Sequence, residues 1–218
     1  MHKALSMKIE VNPKNTPRAE AFELWMSSPM PMVTLTKTFN VNPLRKVAKR
    51  KRVKFNALLC WCIAKAASQK KEFYLLPENG KLFSFDRLAI NVIVTNNKGG
   101  ICSCDVPFVD DLPLFLSKYD ELTLQAIATS QSSFLDDHVV VGTSAMIQTE
   151  LDAVVNQYTE KFSNPMVMWG KYRKGWWTTT LPLSFQFHHV QMDGGHAASF
   201  LESLQQEILN LRWTRHLP

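Results

Sequence analysis

Thr180-Leu181-Pro182-Leu183-Ser184-Phe185-Gln186-Phe187-His188-His189-Val190-Gln191-Met192-Asp193-Gly194-Gly195 is the stretch whose reading decides the fold. Its first eight residues alternate in polarity as a half-buried strand does. Beyond it, Ala197, Phe200, Leu201, Leu204, Ile208 and Leu211 recur with helical period. Between strand and helix stand two of the chain's six histidines, followed by a carboxylate at Asp193. A histidine at such a turn exposes a ring nitrogen while its backbone stays fixed, and its pKa suits proton transfer near neutral pH. Asp-Gly before an apolar-periodic run is also a common helix start, so Asp193 alone reads as an N-cap. The Gly194-Gly195 pair adds room for close approach of another segment or a ligand.

Outward from this turn, the chain alternates strands and helices. Helical patterns cover residues 17–26, 43–50, 55–68 and 112–128, with a C-terminal helix after Gly195. Strand patterns cover residues 73–76 and 81–85 around Asn79-Gly80, a strong hairpin signal. Further strands are expected over residues 89–95, 101–108, 139–147, 165–172 and 176–188. The mixture predicts an α/β fold, a two-layer sandwich with a mixed sheet covered by helices. No repeat or linker interrupts it, so residues 1–218 read as one domain.

With 218 residues, 45% of them hydrophobic and 20% charged, the chain is long enough for a substantial core. No run of eighteen apolar residues suggests a membrane span, and the first residues lack a signal-peptide pattern, so a cytoplasmic location is expected. Cys60-Trp61-Cys62 and Cys102-Ser103-Cys104 are spaced too closely for a structural zinc site and read as buried thiols, so no metal is expected. The net charge of +6 owes much to Arg45, Lys46, Lys49, Arg50, Lys51, Arg52 and Lys54. No nucleic-acid module or interleaved aromatics accompany them, so a solvated face is the simpler reading and nucleic acid is not an expected partner.

His-His-x-x-x-Asp-Gly after an apolar strand resembles the chloramphenicol acetyltransferase family, and its shorter core resembles the wider CoA-dependent acyltransferases. The likeness runs in order through Arg18 to Phe22, Lys54-Phe55, Glu72-Phe73, Asn79-Gly80, residues 110–115, Gly170-Lys171-Tyr172 and residues 182–189. It implies an acetyltransferase that uses acetyl-CoA on a small hydroxylated acceptor, with antibiotic resistance as its outcome and a homotrimer with sites between subunits as its assembly. By position, His189 is the general base and His188 is structural. Asp193 pairs with Arg18 to brace the turn, as a rigid guanidinium fork suits a carboxylate. Thr149 falls where the family has an oxyanion-stabilising serine, in a register with a one-residue gap. Lys54, Lys171 and Tyr172 fall at coenzyme A contacts. Trp25 and Phe134 are candidates to line the acceptor pocket. Residues 28–32 depart from the family pattern, which leaves open an acyltransferase for another acceptor, or a homologue that binds a ligand without turnover.

Overall fold

A computed structural model describes residues 8–159 and 161–211. In chain order its elements are β1 (Ile9–Val11), α1 (Ala19–Trp25), β2 (Met32–Asn40), α2 (Asn42–Lys51), α3 (Phe55–Ser68), β3 (Leu75–Glu78), β4 (Lys81–Ser84), β5 (Leu88–Thr95) and β6 (Ile101–Pro107). Then follow α4 (Leu112–Thr129), β7 (Val139–Met146), β8 (Met166–Gly170), β9 (Arg173–Lys174), β10 (Thr179–His188) and α5 (Gly194–Leu209). The main sheet runs β2-β10-β8-β7-β5-β6, with β9 paired to the start of β10. It is mixed: β5–β7 and β7–β8 are parallel, the other pairs antiparallel. A second sheet, β1-β4-β3, turns at Asn79 and Gly80, both with positive φ (51° and 76°), the backbone a tight hairpin requires.

The strand β10 that anchors the site is held by its alternation. Leu181, Leu183, Phe185 and Phe187 enter the core shared with α3 and α5, while Ser184, Gln186 and His188 lie on the opposite face. Phe185 packs on Phe73, Phe187 and Phe200 at ring-centroid distances of 5.9, 5.3 and 4.6 Å. Burying each such ring contributes about 2–3 kcal/mol. The polar face is satisfied too: the Ser184 hydroxyl meets that of Thr36 and accepts from the Val154 N–H, and Gln186 donates to the Asn156 carbonyl.

Several elements differ from expectation: β1 is a strand that the sequence pattern does not announce, and the strand expected over residues 73–76 runs from Leu75 to Glu78, after a 3-10 turn over Lys71–Tyr74. Residues 32–40 form an edge strand that the sequence pattern does not announce, because Lys37 occupies an apolar position between Leu35 and Phe39; its ammonium lies over the Phe39 ring and pairs with Glu202. And β10 starts at Thr179, not Trp176. Trp176 and Trp177 instead form the tip of the β9–β10 hairpin, 98% and 91% exposed. All four cysteines are buried and free; burial, foremost, raises Cys60 to about 12 and Cys104 to about 11, so both stay protonated. No helix among the described residues is long and apolar enough to cross a membrane.

Candidate active site

His189 follows the last residue of β10, in the turn that leads to α5. Its backbone N–H donates to the Pro31 carbonyl at 2.8 Å. Its ring stacks on Trp25, the last residue of α1, with centroids 4.7 Å apart and planes within 7°. The Nδ1 atom is buried and has no hydrogen-bond partner among the described residues, which leaves Nε2 as the ring nitrogen turned toward solvent.

The turn itself is clamped by one side chain. Arg18, 8% exposed, donates from Nε to the Val190 carbonyl (2.9 Å), from Nη2 to the His189 carbonyl (2.8 Å) and from Nη1 to Asp193 Oδ2 (3.2 Å). Both carbonyls belong to a turn too tight for β pairing, so the guanidinium satisfies groups that no strand or helix can. Asp193 divides its oxygens: Oδ2 meets Arg18, and Oδ1 caps α5 by accepting from Gly195 N (3.1 Å) and His196 N (3.3 Å). The His196 ring closes a capping box by accepting from the Asp193 N–H at 3.3 Å, and its Nε2 lies 3.5 Å from Glu72. Partial desolvation pushes the Asp193 carboxyl up, but the His196 N–H, the His196 ring and Arg18 together outweigh it and hold it below the usual carboxylate range.

The two adjacent histidines occupy contrasting environments. His188 is 1% exposed, and its Nδ1 accepts from the Val190 N–H at 3.1 Å. Burial, followed by the charge of His189, lowers it to about 4. It is therefore neutral near pH 7 and holds the turn rather than exchanging protons with a substrate.

The other sequence-selected residues gather elsewhere. Lys54 precedes α3, pairs with Asp120 at 2.8 Å and lies 5.9 Å from the Tyr119 ring centre. Tyr172 packs on Phe55, the next residue, at 5.3 Å. The Lys171 N–H donates to the Thr149 carbonyl at 2.6 Å. Thr149 is exposed, and its hydroxyl donates to the Glu150 carbonyl. Gly170 permits this approach: a Cβ there would fall 2.7 Å from the Thr149 carbonyl oxygen and 2.9 Å from Leu151 N.

Strand register separates these two groups. Trp169 faces Leu183, so Gly170 lies level with Pro182, seven residues before His189 along β10. At ~3.4 Å per residue the Thr149 and Lys171 end lies about 24 Å from the His189 end. Within one chain Thr149 thus stands away from the histidine ring. Phe134 is likewise remote: 66% exposed, it adjoins β6 at the edge of the sheet opposite β2, about 19 Å from β10 at four strand spacings. Trp25 is the one pocket candidate brought to His189. Two cavities, of about 340 and 420 Å³, flank α1, and neither is lined by His189 or Trp25.

His196 and Gly170 were missed as participants by the sequence reading. The signal for His196 is its position three residues after an Asp N-cap, where a side chain reaches back to the cap N–H. Among the described residues no group of His, Cys, Asp and Glu is arranged to hold a metal.

Comparison with known proteins bears on this arrangement. The chloramphenicol acetyltransferase family pattern matches residues 7–205. Chloramphenicol acetyltransferase 3 of Escherichia coli is 25% identical over 201 residues, 88% of this chain and 93% of that protein. A solved chloramphenicol acetyltransferase superposes with a TM-score of 0.75 at 18% identity, covering 93% of this chain and all of the other. Azotobacter vinelandii dihydrolipoamide acetyltransferase superposes with a TM-score of 0.65, also at 18% identity, over 88% of this chain and 86% of that one.

Proposed function

The chain belongs to the chloramphenicol acetyltransferase family and is an acyltransferase, and we propose that it transfers an acetyl group from acetyl-CoA to a hydroxyl of a small molecule, chloramphenicol first, with His189 as general base. The observation that carries this reading is the clamped turn: Arg18 bonds the His189 and Val190 carbonyls and Asp193 together, while Trp25 stacks on the ring. A base must hold its nitrogen in hydrogen-bond reach of the acceptor hydroxyl, and fixing backbone and ring plane together achieves that. His189 Nε2 takes the hydroxyl proton as the oxygen attacks the thioester carbonyl. Collapse of the tetrahedral intermediate then expels the CoA thiolate, which regains the proton from the imidazolium. Asp193 and Arg18 are positioning residues; neither needs to touch the acceptor.

The same reading takes the active unit to be an oligomer, a homotrimer by family resemblance. In one chain the Lys54, Thr149, Lys171 and Tyr172 end and the His189 end are about 24 Å apart. Joining the two ends between copies is a head-to-tail contact, and such contacts that close form rings. Lys54 and Lys171 then supply point charges for coenzyme A phosphates, Tyr172 an aromatic face for its adenine, and Thr149 a hydroxyl donor for the oxyanion. Phe134 joins the acceptor pocket from the neighbouring copy. Cytoplasmic action is part of the same proposal.

A second reading, a different hydroxylated acceptor, is favoured by residues 28–32. This segment departs from the family pattern, and its Pro31 carbonyl bonds the His189 N–H, so the departure borders the base itself. The test is thiol release from acetyl-CoA with chloramphenicol present, using His189→Ala as control. Release by wild type, reduced by about a thousandfold or more in the variant, is expected. CoA binding without release selects the second reading, and no binding of any CoA ester removes both.

A further inference from the structure

The β9–β10 hairpin carries a feature that acetyl transfer does not use. Trp176 and Trp177 are its two tip residues, closed by the Gly175 N–H donating to the Thr178 carbonyl at 2.8 Å. At 98% and 91% exposure, neither indole packs on the protein. Solvating two adjacent large apolar rings is unfavourable, and such exposed residues mark an interaction surface.

The hairpin base is fixed to α2. The Asn42 side chain donates to the Trp177 carbonyl (3.1 Å) and accepts from the Thr179 N–H (2.9 Å), and the Val41 N–H donates to the Thr179 carbonyl (2.9 Å). Asn42 also marks one face of α2. Arg45, Lys46 and Lys49 follow it at the i+3, i+4 and i+7 positions of that face, with Arg50 beside them, while Leu44 and Val47 are buried on the other. Arg45, Lys46, Lys49 and Arg50 are exposed and form no ion pair among the described residues. Acids near the hairpin base are already engaged: Glu150 and Asp152 lie 3.6 and 2.5 Å from Arg173. Two unsupported indoles and four unpaired cations thus adjoin on one surface.

We infer that this surface docks onto an anionic lipid bilayer, with Trp176 and Trp177 entering the headgroup boundary and Arg45, Lys46, Lys49 and Arg50 facing the lipid phosphates. The charge specifies an anionic partner, since each cation near such a surface adds to attraction. The form of the aromatics separates lipid from nucleic acid. A base-stacking platform needs a ring held in a fixed plane, and a ring 98% exposed has nothing behind it to hold it. A bilayer interface accepts indoles in any orientation, apolar body inward and N–H toward water. Neither feature alone gives stable attachment; apolar insertion and a basic patch together do.

Flotation of the full chain with phosphatidylglycerol–phosphatidylcholine vesicles, and with phosphatidylcholine vesicles alone, tests this. Binding to the anionic vesicles only, weakened by salt, is expected. Trp176→Ser with Trp177→Ser, and separately Lys46→Glu with Lys49→Glu, each lower the bound fraction by more than about tenfold with circular dichroism and Tm unchanged. Three results overturn the inference. Wild type stays unbound at low salt; or it binds a single-stranded oligonucleotide and not vesicles; or the tryptophan variant changes oligomeric mass, which assigns the tip to a subunit contact.

Discussion

The two ends of β10 are built in opposite ways. At the His189 end a buried arginine bonds two turn carbonyls and a helix-capping carboxylate, and a tryptophan fixes the ring plane. At the Lys171 end Lys54, Thr149 and Lys171 are exposed, Tyr172 is half-buried against Phe55, and Lys54 is held by a single half-exposed ion pair. A general base loses rate steeply when displaced by an ångström, so it is worth bracing from several sides. A lysine that meets a phosphate acts as a point charge and needs little fixed geometry. Rigidity is concentrated at the proposed base, and on the proposed oligomeric reading the other end is completed by a neighbouring copy.

The largest effect that breaks this comparison comes from mixing copies. His189→Ala removes the base, and Gly170→Val drives the Thr149–Leu151 backbone out of position, since even a Cβ would sit 2.7 Å from the Thr149 oxygen. Each variant alone is expected to lose nearly all acetyl transfer. Co-expressed in equal amounts, they regain about a quarter of wild-type activity, because about one junction in four pairs an intact base with an intact opposite end. Activity no higher than the mean of the single variants would show that each site is built within one chain.

Next in size is Arg18→Met. It keeps the buried stem but strands the Val190 and His189 carbonyls and leaves Asp193 without its cation. A loss of about 2–4 kcal/mol is expected in urea unfolding, mostly from the two stranded carbonyls and little from the half-exposed Asp193. Arg18→Lys should recover only part of it, because one ammonium cannot reach three acceptors in the guanidinium plane. Full rescue by lysine would reduce the clamp to a single charge pair.

How much of this was legible in the sequence depends on the range of the interaction. The strand, the turn and the Asp193 cap are local patterns, and they read directly. Arg18 and Asp193 lie 175 positions apart, so no spacing rule links them, and only the family resemblance did. The edge strand β2 stayed hidden because Lys37 breaks its apolar alternation, and the Trp176-Trp177 pair read as a strand start because apolar composition was equated with burial. The separation of Thr149 from His189 depends on the direction of β8 against β10, which local patterns do not encode.

The histidine pair sharpens the comparison through pH. His188 is lowered from 6.5 to about 4. Between these values the unfolded chain binds a proton that the folded chain refuses, so stability is present in full above pH 6.5 and falls as pH drops toward 4, by about 3 kcal/mol. His188→Asn retains an acceptor for the Val190 N–H but cannot titrate. Its urea midpoint should therefore vary less steeply over this window than that of wild type; parallel curves would remove His188 from the acid response.

The smallest effects belong to the loosely held end, and they differ in sign. Lys171 is exposed and has no ion-pair partner among the described residues. Lys171→Ala should raise KM for acetyl-CoA by up to about fivefold, with kcat unchanged and salt dependence reduced, as for a screened charge contact of at most ~1 kcal/mol. Lys54 is already partnered by Asp120, so freeing it is the more telling experiment. Asp120→Asn removes the competing carboxylate and should lower KM by about twofold at low salt. An unchanged KM in both variants would mean that coenzyme A phosphates do not reach this end of β10, and the pairing of unlike ends would lose its electrostatic half.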